Sequence, residues 1–358
     1  MSNSTNKKPQ FELVKRNKLN KYLNEIDQNK WYSNYGPLYN KIKNKLKSYI
    51  QYSNNSVILT SSGHSSLLAV CKLLRSRTKK KYVLCPSLSF YSNPLTILDA
   101  GFEPYFVDIN NDDLTMDSKL IDNILKKNNN IAFLMYVSPF GKPIDVNKLN
   151  KIQKKYNLPI VYDAADSFLN LNKKISRNKI FITCSFHPTK TIGANESGAI
   201  ICETKNSEKL KKIINFGIGL KDKNILGFNG KFSEYDAAIL LANYKNIKNK
   251  IKTFNRIKKF FLKNLNRNYK MITSETFISN KIIIQTNISI DKINKNLKKY
   301  DINAFKLWSK KSMHEIHAFK KYKQTKMTNT ILIKKKTISF FIQNMLVAKK
   351  IIKKINSI

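Results

Sequence analysis

Acidic residues are scarce in this chain: 23 Asp and Glu stand against 66 Lys and Arg over 358 residues, a formal net charge of +43. Such a surplus attracts anionic ligands and raises the question of nucleic acid. The excess is nevertheless spread along the whole length, in stretches such as NKIKNKLK (40–47) and NKNLKKY (294–300). Lysine carries most of it, and asparagine and isoleucine are abundant beside it, which fits an AT-rich coding bias rather than a dedicated nucleic-acid surface. Cysteine is sparse as well. Cys71, Cys85, Cys184 and Cys202 lie far apart, form no CxxC pair and read as core residues. No apolar run approaches a membrane-spanning length, and MSNSTNKKPQ lacks the apolar core of a signal peptide, so the expected compartment is the reducing cytoplasm with no membrane partner. Internal repeats are absent. What is present is a hydrophobic share of 42%, enough for a large core and for two domains at this length.

From about residue 56 to 203, short apolar runs alternate with helical patterns. VILT (57–60), YVLC (82–85), PYFVDI (104–109), IAFLMYV (131–137), PIVYD (159–163), IFITCS (180–185) and GAIICE (198–203) are predicted strands. Leu67, Val70, Cys71 and Leu74 recur at helical spacing between them, as do Leu149, Ile152 and Tyr156. β-Branched strands alternating with helices predict an α/β fold with a mostly parallel sheet covered on both faces. Functional groups in such folds gather at the carboxyl ends of the strands. Beyond 204, SEKLKKIINFG (207–217) predicts a helix ending at Gly217. A long helix with Leu240, Tyr244, Ile247 and Ile251 on one face should follow, then lysine-rich α+β material. The expected organisation is a polar basic segment over 1–30, a large domain over 31–245 and a smaller C-terminal domain over 246–358.

Two segments carry the most chemistry. VYDAAD (161–166) reads as a strand running into a turn, with Asp163 at its carboxyl end. SFHPTKTIGANESG (185–198) holds Lys190 in a tight stretch with Pro188, Gly193 and Gly198. A lysine amine can form a Schiff base with an aldehyde, and a carboxylate can pair with a protonated pyridine nitrogen. Together they are what a pyridoxal 5′-phosphate (PLP) site requires. In so lysine-rich a chain, one lysine carries no signal by itself. TSSGHSS (60–66) joins a strand to a helix with Gly63 at the bend, a place where backbone N–H groups can meet a phosphate. The same residue types also cap ordinary helices. In PSLSFYSNP (86–94), Phe90 could stack on a flat ring or simply pack in the core.

Taken together with WYSNYGPLYNKIKNKL (31–46), LTSSGHSSLLAV (59–70), CPSLSFYSNPLTILDAGFEPYFVDI (85–109), VSPFGKPIDV (137–146) and GFNGKFSEYDAA (227–238), these segments resemble the DegT/DnrJ/StrS family of fold-type-I, PLP-dependent sugar aminotransferases. The resemblance runs from about Trp31 to Ala238 and more faintly beyond. It implies that Lys190 bonds the cofactor and then shuttles the proton, that Asp163 pairs with the pyridine nitrogen, and that Phe90 and Ala165 sandwich the ring. By the same resemblance Gly63, His64 and Ser185 hold the phosphate, and Asn229 reaches it from a second subunit of a homodimer. Asp166 stands near the cofactor's phenolic oxygen, where the family often carries glutamine or histidine. His64 stands where threonine is usual, and Ser197 replaces a glycine. The implied reaction moves an amino group from glutamate to a nucleotide-linked keto-sugar, for amino-sugar and surface-polysaccharide synthesis. A cyclic ketone without a nucleotide, or a non-catalytic binding descendant, are the alternatives left open.

Overall fold

The computed structural model describes residues 14–51, 55–143, 145–171, 179–222, 225–273, 276–300, 302, 304–309, 311–342 and 344–358. Seven strands form the larger sheet: β1 (Asn55–Thr60), β2 (Tyr82–Pro86), β3 (Glu103–Val107), β4 (Ile131–Val137), β5 (Ile160–Asp163), β6 (Ile180–Ser185) and β7 (Gly198–Glu203). Their order is β1-β7-β6-β5-β4-β2-β3. Pairings from β6 to β3 are parallel, whereas β7 runs antiparallel to both its neighbours. All seven predicted strands are present, and 131–137, 180–185 and 198–203 match to the residue.

Every residue of β4 is buried, as a central strand covered on both faces requires. Leu134 and Tyr136 enter one core with the helices Pro37–Ile50 and Glu234–Tyr244, while Phe133 and Met135 enter another with the helix Gly63–Arg75. This is the two-residue alternation of a strand expressed as two layers. Leu67, Val70, Cys71 and Leu74 form the buried stripe of Gly63–Arg75, whose first turn is capped by Ser62 Oγ accepting from Ser65 N–H at 3.0 Å.

The second sheet is fully antiparallel, in the order β10 (Phe305–Lys306), β11 (Thr337–Phe341), β9 (Lys281–Thr286), β8 (Tyr269–Met271). Ile282 and Ile284 of β9 face a core built with the helices Ile290–Lys298 and Met345–Ile355. Ile283 points the other way and packs with Leu88, Ile109 and Phe140 of the larger sheet's loops. Lys281 shares that face by the same alternation. Residues 313–327 return to the larger sheet: Phe106 N–H donates to Lys323 O at 2.8 Å, and Met313, Phe319 and Met327 are buried in its core.

Three local expectations change. Within the stretch 1–30, residues 1–13 lie outside the described residues, and Arg16–Asn29 form a helix that buries Ile26. The long helix is two, Glu234–Tyr244 and Ile247–Asn264, because the turn at Lys245–Asn246 tightens to an Asn246 N–H to Asn243 O bond of 3.1 Å. Leu240, Tyr244, Ile247 and Ile251 still pack against one core, so the face survives the break. The helix opening at Ser207 ends at Ile213, and Gly217, at φ +78°, lies in the turn that follows. Among the described residues no helix is long and apolar enough to cross a membrane. None of their His, Cys, Asp and Glu side chains gather in a group that could hold a metal ion.

Candidate active site

A cavity of about 510 Å³ opens at the carboxyl ends of β4, β5 and β6. Its wall contains Gly63, His64, Phe90, Asp163, Ala165, Asp166, Ser185 and Lys190. Segments as far apart as 63 and 190 therefore converge because parallel strands end on one edge. Asn229 is not among the lining residues of its own chain; it bridges to Asn215 in a loop anchored by Ser61 N–H donating to Gly230 O at 2.9 Å.

Asp163 closes β5 and is buried. Its Oδ2 accepts from Asn93 Nδ2 at 2.8 Å and its Oδ1 from Ala165 N–H at 3.0 Å, which fixes the plane of the carboxylate. Burial pushes its pKa up, against the lowering effect of these hydrogen bonds and of Lys190. A cation placed against this group would restore its charge.

Lys190 sits on a turn closed by Lys190 N–H to His187 O (2.8 Å) and Gly193 N–H to Lys190 O (2.9 Å). A Cβ on Gly193 would lie 2.4 Å from Pro188 O, so only glycine permits this turn. His187 steadies it further, with Nδ1 2.8 Å from Thr189 Oγ1 and Nε2 3.4 Å from Glu196 Oε1. Burial holds the His187 pKa below its ordinary value.

Asp166 is the most heavily paired acid of the site. Lys281 Nζ lies 2.6 Å from its Oδ1 and Lys190 Nζ 3.4 Å from the same atom. Burial alone would raise the Asp166 carboxyl, but the two ammonium groups bring it down to about 2. Burial in turn lowers Lys281 to about 8, even though Asp166 opposes that shift. The carboxylate found where the family often has glutamine or histidine thus stays ionised, with its charge balanced from the smaller sheet.

The cavity wall also includes the start of the helix Gly63–Arg75, where the first backbone N–H groups have no partner within the helix. A Cβ on Gly63 would come within 2.7 Å of Ser185 Cβ, so the absence of a side chain lets the helix terminus and Ser185 sit together. His64 is half-buried, and burial lowers its pKa, which favours the neutral imidazole with one N–H to donate. Ser197 is fully buried beside the lysine turn, its carbonyl accepting from Phe186 N–H at 2.8 Å, and is absent from the cavity wall.

These features fit a pyridine ring bearing a phosphate. An acid buried with no ion pair within 4.0 Å among the described residues, an amine on a rigid turn and a helix terminus suited to an anion line one cavity. Asn93 Oδ1, buried and without a hydrogen-bond partner among the described residues, adds an acceptor beside Asp163. Sequence reasoning missed Asn93, Lys281 and the Phe140–Trp308 pair on the wall, whose rings stack at 4.5 Å. Asn93 lies three positions beyond Phe90, in the first turn of the helix Ser92–Asp99 and within a segment already singled out; Lys281, one lysine among many, gave no signal.

Comparison with known proteins gives the family. The model of the DegT/DnrJ/EryC1/StrS aminotransferase family matches residues 14–358. Over 221 residues the chain is 31% identical to the dTDP-4-amino-4,6-dideoxy-D-glucose transaminase of Shigella dysenteriae, covering 61% of this chain and 58% of that protein. Over 198 residues it is 28% identical to the UDP-4-amino-4,6-dideoxy-N-acetyl-beta-L-altrosamine transaminase of Campylobacter jejuni, covering 53% of each. The chain thus spans little more than half the length of these curated relatives. A solved structure from Bacillus cereus, described as a PLP-dependent aminotransferase, superposes with a TM-score of 0.88 at 28% identity over 97% of this chain and 98% of that one. With a family model covering all but the first 13 residues, the chain belongs to the DegT/DnrJ/EryC1/StrS aminotransferase family.

Proposed function

We propose that the protein is a PLP-dependent aminotransferase that moves an amino group from glutamate to a nucleotide-linked keto-sugar, in amino-sugar and surface-polysaccharide synthesis. The observation that carries this reading is the convergence of Lys190, Asp163 and the Gly63 helix terminus on one cavity. The names of the curated relatives, transaminases of dTDP- and UDP-linked sugars, support the substrate class.

When bound, PLP supplies an electron sink for the charge that develops on a substrate carbon. The chain's own groups do the rest. Asp163, fixed by Asn93 and Ala165, keeps the ring nitrogen protonated by presenting a carboxylate to it. Lys190 Nζ removes the proton from the amino-bearing carbon of the donor and delivers one in the reverse half-reaction. The Gly63 and His64 N–H groups, the His64 imidazole and the Ser185 hydroxyl hold the phosphate. Phe90 and Ala165 would border the ring, and the stacked Phe140 and Trp308 rings add apolar surface to the cavity wall.

The working unit in this reading is a homodimer. Leu226, Ile218 and Phe216, on the loop that also carries Asn229, are 76%, 65% and 56% exposed, which leaves an apolar surface for a second copy and lets Asn229 serve the partner's phosphate site. The reducing cytoplasm suits four buried, unbridged cysteines.

The test is an absorbance spectrum of the purified protein with PLP, compared with Lys190→Ala. The wild type should show the lysine-linked band and lose it on adding glutamate, and the variant should lack it. Turnover of the loaded enzyme should fall by at least about 10³-fold in the variant. A panel of dTDP-linked, UDP-linked and nucleotide-free ketones then reads the acceptor; activity on the nucleotide-free compounds alone would overturn the nucleotide assignment.

A further inference from the structure

The segment leading into β9, residues 278–281, is fastened to loops at the carboxyl edge of the other sheet at each of its four positions. Ile278 N–H donates to Asn170 Oδ1 at 2.7 Å, and Asn170 Nδ2 returns a bond to Ile278 O, also at 2.7 Å. Ser279 Oγ donates to Phe140 O at 3.1 Å and accepts from Lys281 N–H at 3.1 Å. Asn280 Nδ2 donates to Thr189 O at 3.0 Å, one residue before Lys190. Lys281 Nζ then reaches Asp166 Oδ1 at 2.6 Å and lies 5.3 Å from the centre of the Phe341 ring. The strap therefore touches the segment after β5, the loop after β4 and the lysine turn, and returns at Lys281 to the turn after β5.

We propose that Lys281 and Asp166 are a positioning pair for Lys190: the strap sets Lys281, Lys281 holds the Asp166 carboxylate in place, and that carboxylate holds the Lys190 amine in the cavity. The proposal rests on the reading of Lys190 as the reactive amine. Its physical content lies in the sharing of one oxygen by two ammonium groups. Lys190 must leave Asp166 whenever its amine is engaged with a carbonyl, and a buried carboxylate left alone would take up a proton or draw in water. Lys281 has no such excursion to make, because its backbone and its side chain are both tied. It keeps Asp166 charged and oriented while Lys190 is away, and so returns Lys190 to one place. Asp163, three residues earlier and already raised by burial, is pushed further by a neighbouring negative charge, so balancing Asp166 also protects the ring-nitrogen partner.

The experiment measures PLP binding by the full-length protein and, at saturating PLP, the fraction of bound cofactor that absorbs as lysine-linked. Lys281→Met should weaken PLP binding by about tenfold or more and lower the lysine-linked fraction, and Lys281→Arg should restore both to within about threefold. Asp166→Asn should lower the lysine-linked fraction too. Adding Lys281→Met to Asp166→Asn should change little more, because both substitutions cut the same link. A Lys281→Met protein with wild-type affinity and fraction, or effects of the two substitutions that multiply independently, overturns the pairing. If Lys281→Met does not fold, Asp166→Asn decides alone, and an unchanged lysine-linked fraction refutes the proposal. Lys190→Ala is the separate control: a lysine-linked band surviving there sinks the assignment of Lys190 itself, whatever the pair does.

Discussion

The larger sheet places its active-site groups by local rules, whereas the smaller sheet places its one charged contribution by contact. Asp163 stands where β5 ends, Ser185 where β6 ends, and Gly63 at the helix that follows β1, so each lies at a junction that its own flanking residues define. Lys281 opens β9 in the middle of the lysine-rich C-terminal region, and nothing in its neighbours distinguishes it. It becomes part of the site because β9 turns Ile282 and Ile284 into the smaller core and leaves Lys281 and Ile283 facing the other sheet. The lesson is that a strand-end site is read from its own strand, while a charge crossing between sheets is read only from the packing of both.

The largest test of this contrast is stability. Lys281→Met leaves Asp166 buried with the longer of its two ammonium contacts alone and should cost about 3–5 kcal/mol in urea unfolding. The double variant with Asp166→Asn should recover much of that loss; equal losses in the two would show that charge pairing is not what Lys281 contributes. Asp163→Asn, at the locally placed end, should leave unfolding nearly unchanged and instead reduce transamination on the order of 10²-fold, because the ring nitrogen loses its carboxylate. Comparable stability losses at both positions would erase the distinction between the sheets.

Acid sharpens the same comparison. Asp166 has a folded pKa of about 2 against an ordinary 3.8, so it contributes stability above pH 3.8 that is lost as the pH falls toward 2. The expected loss is about 2 kcal/mol, and Asp166→Asn should lack it. Asp163 runs the other way, since its pKa is raised on folding and its burial costs stability once it ionises. Lys281, lowered from 10.5 to about 8, is protonated in both folded and unfolded chains at neutral pH. Its contribution therefore makes stability rise as the pH climbs from 8 toward 10.5. Unfolding curves across pH 2–10 for the wild type, Asp166→Asn, Asp163→Asn and Lys281→Met check all three signs. The smallest expected effect is His64→Thr, which exchanges one donor for another at the helix terminus and should alter PLP affinity by less than about tenfold.

Much of the site was legible because its residues occur in ordered motifs at strand ends. Eight of the nine expected site residues line one cavity wall, and only Asn229, assigned by resemblance to a second copy, does not. The helix break at Lys245–Asn246 was not legible, since Leu240, Tyr244, Ile247 and Ile251 keep a helical period across it. A hydrophobic face records which side is buried and not whether the backbone bonds beneath it are continuous.

By itself the sequence determined the seven strands, the alternation that buries β4 on both sides, and the turn chemistry around Gly63 and Gly193, because each depends on residues close along the chain. Only the tertiary structure decided that Asn93 would fix Asp163, that residues 313–327 would rejoin the larger core, and that Lys281 would balance Asp166. Those are meetings between segments 70, roughly 200 and 115 residues apart, and the strength of a buried charge is set by what surrounds it in space.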